Sequence, residues 1–265
     1  MLNSKIGLLI ICRLDSKRLN KKIFKVIDGK SLLEILIIRL LRKFNKKQIV
    51  ICTSTLSKNS KFKMISRKYG VRLFYGSDKD IFLRMINSAQ KFKFNNIVRI
   101  TGDNPLTDVD AIIKMSKSHI RKKSDYTYTT NLMIGTRPEI IKVSALIKCR
   151  DLSNDKSSSE YMTYFFLRKK QFKINQVKFK EILENQNKFC VTVDYKKEFL
   201  LIKDILKDGD YYITHNEIMR FMKKNNLVKK IHYKRYVPLI TNNYDVSLKN
   251  DKNLKFIDLK KFGYK

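Results

Sequence analysis

Apolar β-like runs alternate with segments of helical period along most of the 265 residues, which predicts an α/β fold: a mainly parallel mixed sheet covered by helices on both faces. Residues 6–12 are apolar throughout, as a strand buried on both faces requires. Later runs of the same kind each lead, through a polar turn, into a segment whose apolar residues recur every three or four positions.

In order, residues 6–12 form the first strand. After a basic turn, a helix opens at Ser31, with Leu33, Leu36, Ile37, Leu40 and Leu41 on one face; Ser31 and Glu34 have capping-box spacing. Residues 48–52 are a second strand. Residues 59–69 are a helix closed by Gly70, where a left-handed cap carries no Cβ strain. A strand at 71–75, a helix at 78–92 and a strand at 96–100 follow. Beyond them come a helix at 109–119, an extended piece at 126–130, a short strand at Ile140 and Ile141, and a helix at 144–150. Residues 151–159 are polar and serine-rich, and read as a loop before a helix at 160–168. A strand at 190–194, a helix at 196–206 and a last helix from about residue 214 complete the pattern. Two units are expected, a domain over 1–228 and a weakly patterned tail over 229–265.

Composition narrows the function. No segment approaches the roughly 20 consecutive apolar residues that span a bilayer, and no signal peptide is read, so a soluble, cytoplasmic protein is expected. Cys12, Cys52, Cys149 and Cys190 are widely spaced and suggest neither a disulfide framework nor a zinc site. The 58 basic against 24 acidic residues give a net charge of +34, a balance common in nucleic-acid-binding proteins. Here the lysines are scattered through every segment and no zinc-finger or RNP-type motif accompanies them, so a nucleic-acid partner is disfavoured. The same charge raises encounter rates with small polyanions.

The chemistry concentrates after the first strand. Residues 13–22 carry five cationic side chains, among them Arg13, Arg18 and Lys22, in a loop leaving the carboxyl edge of the sheet, where α/β proteins bind ligands. Neither a P-loop nor a dinucleotide glycine pattern is present, so side-chain charge must hold any phosphates; the plainer reading is a solvated basic turn. Asp103 and Asp194 each end a predicted strand, and in a parallel sheet both belong on the edge that carries the basic loop. Two carboxylates beside such a loop suit Mg2+ and a nucleoside triphosphate. Helix capping is the plainer role for each aspartate. None of His119, His215 and His232 is placed to act as a base: His119 ends a predicted surface helix, and the others lie late in the chain.

These residues carry a resemblance. The chain resembles the spore-coat polysaccharide cytidylyltransferase-like family, related to the enzymes that make CMP-activated 3-deoxy-octulosonate and sialic acids. The family's opening pattern is matched by Arg13, Ser16, Arg18, Leu19 and Lys22, and its next piece by Gly29, Lys30, Ser31, Leu32, Leu33 and Glu34. Thr53-Ser54, Gly76-Ser77 with Arg84, Gly102-Asp103-Asn104-Pro105-Leu106 with Asp108, Glu139, Glu160 and Thr192-Val193-Asp194 follow in order. The resemblance implies a Rossmann-like nucleotide-diphospho-sugar transferase fold and transfer of CMP from CTP to a sugar acid or related hydroxyl compound, releasing pyrophosphate, in surface polysaccharide biosynthesis. It further implies that Arg13, Lys22, Asp103 and Asp194 are catalytic, that Asp103 and Asp194 hold Mg2+, and that Arg13, Ser16, Arg18, Lys22, Thr53, Ser54, Arg84 and Asp103 bind the nucleotide. Asn131, Arg137, Glu139 and Glu160 would meet a small acidic sugar-like substrate. Other cations of residues 126–180, such as Lys142, Arg150 and Lys173, also fit an acidic ligand, and a homodimer is the family expectation. The chain departs from the pattern at Asp15, at Asn20 where the family has proline, at Lys21 where it has glycine, and at Tyr161 where it has histidine. The alternatives are a glycosyltransferase of similar fold, for which Asp78-Lys79-Asp80 and Asp108-Val109-Asp110 have the spelling, or a non-catalytic nucleic-acid-binding module.

Overall fold

A computed structural model describes residues 5–12, 14, 19, 21–56, 60–152, 166–167, 171–180, 189–207, 209–225, 237–238 and 256–257. Its centre is β1 (Ile6–Ile11), all six residues of which are buried, as the unbroken apolar run requires. A hairpin follows, β2 (Val26–Ile27) and β3 (Lys30–Ser31), turning through Asp28 and Gly29, both at positive φ. Helix α1 (Leu32–Leu41) starts at the expected capping box, with Ser31 and Glu34 each binding the other's backbone N–H. β4 (Ile49–Ser54), α2 (Ser60–Tyr69), β5 (Arg72–Gly76), α3 (Ile81–Lys91), β6 (Asn96–Thr101) and α4 (Val109–Lys122) continue the alternation. Then come β7 (Tyr126–Tyr128), β8 (Glu139–Lys142), α5 (Val143–Asp151), β9 (Ile174–Gln176), α6 (Lys196–Ile205) and α7 (His215–Lys224).

The seven-stranded sheet has the order β5-β4-β1-β6-β8-β7-β9. The first four are mutually parallel, and β8 alone runs against its neighbours β6 and β7. Leu8, Ile10, Ile49, Ile51, Val98 and Ile100 face α1, α2 and α4, whereas Leu9, Val50, Ile97 and Ile141 face α3 and α5. The mainly parallel mixed sheet between two helical layers is thus the predicted architecture.

Two expectations need correction. Residues 190–194 are not a strand of the sheet: among the described residues they make one isolated parallel bridge, Ile134 with Cys190. His119 is not on a surface; it is buried, with Nδ1 2.8 Å from Thr127 Oγ1 and Nε2 3.2 Å from Asn96 Oδ1. Within residues 229–265, the described residues form one two-stranded antiparallel pair, β10 (Val237–Pro238) with β11 (Phe256–Ile257). Apart from residues 166–167, the helix expected over 160–168 lies outside the described residues, as does the loop at 153–159.

Candidate active site

Lys22 is the hub. It opens a short 3-10 turn, Lys22–Phe24, just beyond β1 and is largely buried. Its ammonium lies 2.5 Å from Asp103 Oδ2 and 2.9 Å from Asp194 Oδ1. Residues 81 and 172 positions apart from it thus meet at one atom. The two carboxylate oxygens can be no farther apart than those two distances combined.

The backbone explains the convergence. β1 and β6 are paired neighbours, so the segments leaving their carboxyl ends emerge side by side. Gly102 lets them close: a Cβ there would stand 2.9 Å from Cβ of Cys12. The later segment is stitched in by Ile134 N–H to Phe189 O (2.8 Å), Val191 N–H to Ile134 O (2.8 Å) and Val193 N–H to Asp103 O (2.9 Å). That last bond carries Asp194 to Asp103. Gly135, at φ +93°, permits the approach, since a Cβ there would sit 2.5 Å from Thr192 N. Glu198, in the first turn of α6, accepts from the backbone N–H groups of Asp194 and Tyr195. Glu198 thus fixes the backbone that leads into α6, while Asp194 Oδ1 accepts from Lys22.

Thr53 and Ser54 are buried at the end of β4, beside the Cys12–Cys52 backbone contact. Arg84 projects from α3 and is 1% exposed; its Nε and Nη1 have no hydrogen-bond partner among the described residues. Burial raises the Cys52 thiol to about 12 against the pull of this positive charge, and the Asp78 carboxyl is held below its usual range first by the Thr55 hydroxyl, with the Leu56 N–H and Arg84 adding less. A buried guanidinium without a carboxylate is costly to keep unless it meets an anion.

The expected acceptor residues are only partly assembled. Glu139 is engaged by Arg99 across the β6–β8 pair and by Tyr126 Oη at 2.8 Å, so it is a half-buried ion-pair partner instead of an open carboxylate. Asn131 donates to Phe179 O and accepts from Phe179 N, pinning the segment after β9. Arg137 Nε donates to Leu132 O at 2.7 Å. Arg150 is held by Asp80 at 2.9 Å, and Lys142 lies 3.8 Å from Asp125. Arg13, Ser16, Arg18 and Glu160, with the departures at Asp15, Asn20 and Tyr161, lie outside the described residues.

Sequence reasoning missed Arg99 and Tyr126. The signal available was a charged residue inside an otherwise apolar strand, which demands a buried partner. The Asp-x-Asp spellings are accounted for by helix starts. Asp80 caps α3 at Leu83 N–H, Asp108 caps α4 at Ala111 N–H, and Asp78 accepts from Thr55 Oγ1 and Leu56 N–H. His215 is buried at the start of α7, where desolvation lowers its pKa against the pull of Asp108; His232 is not among the described residues.

A family model described as cytidylyltransferase matches residues 8–243, a span that contains every element of this site. The chain belongs to the cytidylyltransferase family. Among this family's relatives, the spore coat polysaccharide biosynthesis protein SpsF of Bacillus subtilis is 26% identical over 82% of this chain and 93% of its own. A cytidylyltransferase structure from Leptospira borgpetersenii superposes with a TM-score of 0.76 at 22% identity, covering 84% of this chain and 96% of that one. CMP:2-keto-3-deoxy-manno-octonic acid synthetase, solved with CTP, superposes with a TM-score of 0.61 at 11% identity over 77% of this chain and 99% of that one. At those identities the two structures speak to the fold, and the α/β nucleotidyltransferase-like architecture is the one they share. No helix among the described residues is long and apolar enough to cross a membrane.

Proposed function

We propose that this cytidylyltransferase-family protein transfers CMP from CTP to a hydroxyl of a small acidic sugar-like acceptor, releasing pyrophosphate, in surface polysaccharide assembly. The observation that carries the reading is the joint contact of Lys22 with Asp103 and Asp194 at the carboxyl rim of the parallel sheet. Two carboxylates aimed at one cationic point are a donor set that fits Mg2+, which favours oxygen ligands and is commonly held by one or two carboxylates together with substrate phosphates. Asp103 and Asp194 would hold the ion. Bound there, it would neutralise charge on the α-phosphate and acidify the acceptor hydroxyl.

The chain's own groups do the remaining work. Lys22, a compact point charge beside both aspartates, meets the triphosphate and balances charge that builds on the departing pyrophosphate. Arg84, with buried unpaired guanidinium nitrogens, offers a fork to the nucleotide. Arg13, Ser16 and Arg18 complete the phosphate loop, with Thr53 and Ser54 lining the nucleotide's side of the rim. Asn131, Arg137 and Glu160 belong to the acceptor side, with Glu139 acting there through its pairing with Arg99. We extend the proposal to a homodimer formed through residues 126–180, acting in the cytoplasm; sedimentation of the purified chain tests the dimer.

The test is pyrophosphate release from CTP, UTP, ATP and GTP with Mg2+ and a panel of acidic sugars. CTP is expected to be used in preference to the others. Asp103→Asn and Asp194→Asn are each expected to cut turnover by about a hundredfold or more while the circular dichroism stays native. Unchanged turnover in either variant would remove that residue from the metal site.

A further inference from the structure

The flank of α4 that faces β9 carries a second concentration of charge. A cavity of about 480 Å3 lies between them, lined by Lys114, Lys117, Arg121, Lys122 and Lys178 with Ser118, Asn175 and Gln176 among the polar groups. That volume falls within the range of roughly 300–1,000 Å3 usual for ligand pockets. Among the described residues no carboxylate lines it, and none of the five cations makes an ion pair.

The arrangement follows from helical geometry. Residues 114, 117, 118, 121 and 122 fall at intervals of three and four, so they form one stripe along α4. Like charges at those spacings repel, by roughly 0.2–0.5 kcal/mol per pair in isolated helices. Arg121 and Lys122, in the last turn, gain from the helix's carbonyl end. Lys114 and Lys117 do not. The neutral groups nearby relieve only part of this: Lys122 Nζ donates to Asn175 Oδ1 at 3.0 Å and Lys114 Nζ to Lys178 O at 3.3 Å. Lys178 then brings a further positive charge from the segment after β9 to the same concavity.

We propose that this groove binds a compact, soluble oligophosphate. Five cations around one small cavity call for several negative charges in little volume, which a chain of phosphates supplies and a single carboxylate does not. Arg121 offers a planar fork, the lysines offer point charges, and the Ser118 hydroxyl and the side-chain amides of Asn175 and Gln176 can meet the remaining oxygens. Among the described residues no aromatic side chain lines the cavity, and the nearby Phe179 ring is covered by Lys114 Nζ, 4.5 Å from its centroid, so a base or sugar need not be recognised. A concavity suits a small ligand better than a flat bilayer or a duplex. Lys114 lies six residues beyond the Asp108 cap, about 9 Å along the helix, so the groove starts well away from the aspartate rim. The inference does not depend on the assignment of Lys22, Asp103 and Asp194.

The experiment is calorimetric titration of the full chain with tripolyphosphate. It is run in the wild-type protein and in Lys22→Ala, which removes the competing cation at the rim. Lys117→Glu/Arg121→Glu reverses two exposed charges of the groove. Lys63→Glu/Arg67→Glu makes the same charge change at the same spacing on α2. The groove reading expects a binding event that persists in Lys22→Ala, weakens by about tenfold or more in Lys117→Glu/Arg121→Glu, and is nearly unchanged in Lys63→Glu/Arg67→Glu. Equal losses in the two double variants would reduce the effect to bulk charge and overturn the proposal. So would binding that disappears in Lys22→Ala alone. Capture by anionic vesicles or RNA that depends on Lys117 and Arg121, without tripolyphosphate binding, would overturn it in favour of an extended partner.

Discussion

Lys22 does at the level of one residue what the sheet does for the whole rim. Without its ammonium, Asp103 and Asp194 would face each other across a short distance, and each charge would disfavour the other. The residue before it explains a departure from the family pattern. Lys21 sits at φ 47°, a left-handed conformation that costs an L side chain about 1–2 kcal/mol and costs glycine nothing comparable. The pattern's glycine fits that angle, and lysine adopts it here under strain. His119 shows the opposite economy, a polar residue made acceptable by two partners. Burial lowers its pKa from 6.5 to about 4. In the unfolded chain it takes a proton as pH falls through about 6.5, whereas in the folded protein it stays neutral until about 4. Its contribution is therefore intact above about 6.5 and lost progressively between there and 4, by about 3 kcal/mol in total. His119→Gln, which can keep hydrogen bonds to Thr127 and Asn96, is expected to flatten urea-midpoint curves across that window; an equally steep curve would assign the acid sensitivity to other groups.

At the scale of elements, the segments read well from sequence were those whose signal is local. The Ser31 and Glu34 capping box, the left-handed Gly70 and the unbroken apolar β1 are visible in a few consecutive residues, and each stands as expected. Residues 190–194 were harder, because strand identity is a property of a partner. Cys190, Val191 and Val193 are buried and apolar like a core strand, yet Val191 and Val193 pack into a third cluster with Leu106, Met133 and α6 instead of extending the sheet ladder. The hairpin turn at Asp28-Gly29 was legible in principle, since that dipeptide favours the positive φ values found there. Gly135 carries the functional consequence. Gly135→Ala would set a Cβ 2.5 Å from Thr192 N at an angle unfavourable to alanine, pushing away the segment that leads to Asp194. About 1–3 kcal/mol of stability is expected to be lost. Turnover should also fall at temperatures where the variant remains folded. A lower melting temperature with unchanged turnover would show that Asp194 finds Lys22 without this contact.

Across the whole molecule, the meeting of Lys22 with Asp103 was legible because the paired parallel strands β1 and β6 end on one rim, whereas Asp194 arrives there on a segment outside the sheet, through the Val193 N–H to Asp103 O bond. The pairing of Glu139 with Arg99 was not legible, since it depends on β8 entering antiparallel beside β6, an arrangement without a local signature. The scattered lysines were read correctly as lacking a single block in sequence, yet the fold gathers five cations from α4 and the segment after β9 into one groove. Net charge is then a property of the molecule with a kinetic consequence. A body at +34 attracts a triphosphate over distances comparable with the Debye length, about 30 Å at 0.01 M salt and about 8 Å at 0.15 M. If long-range attraction limits capture of the proposed substrate, kcat/KM for CTP should fall about tenfold between those ionic strengths, with kcat much less affected. Uncharged cytidine, used as a competitive ligand, lacks the charge on which steering acts, so its inhibition constant should stay nearly constant. A flat salt profile for CTP would mean that the scattered lysines do not steer, and that only the cations at the rim govern nucleotide capture.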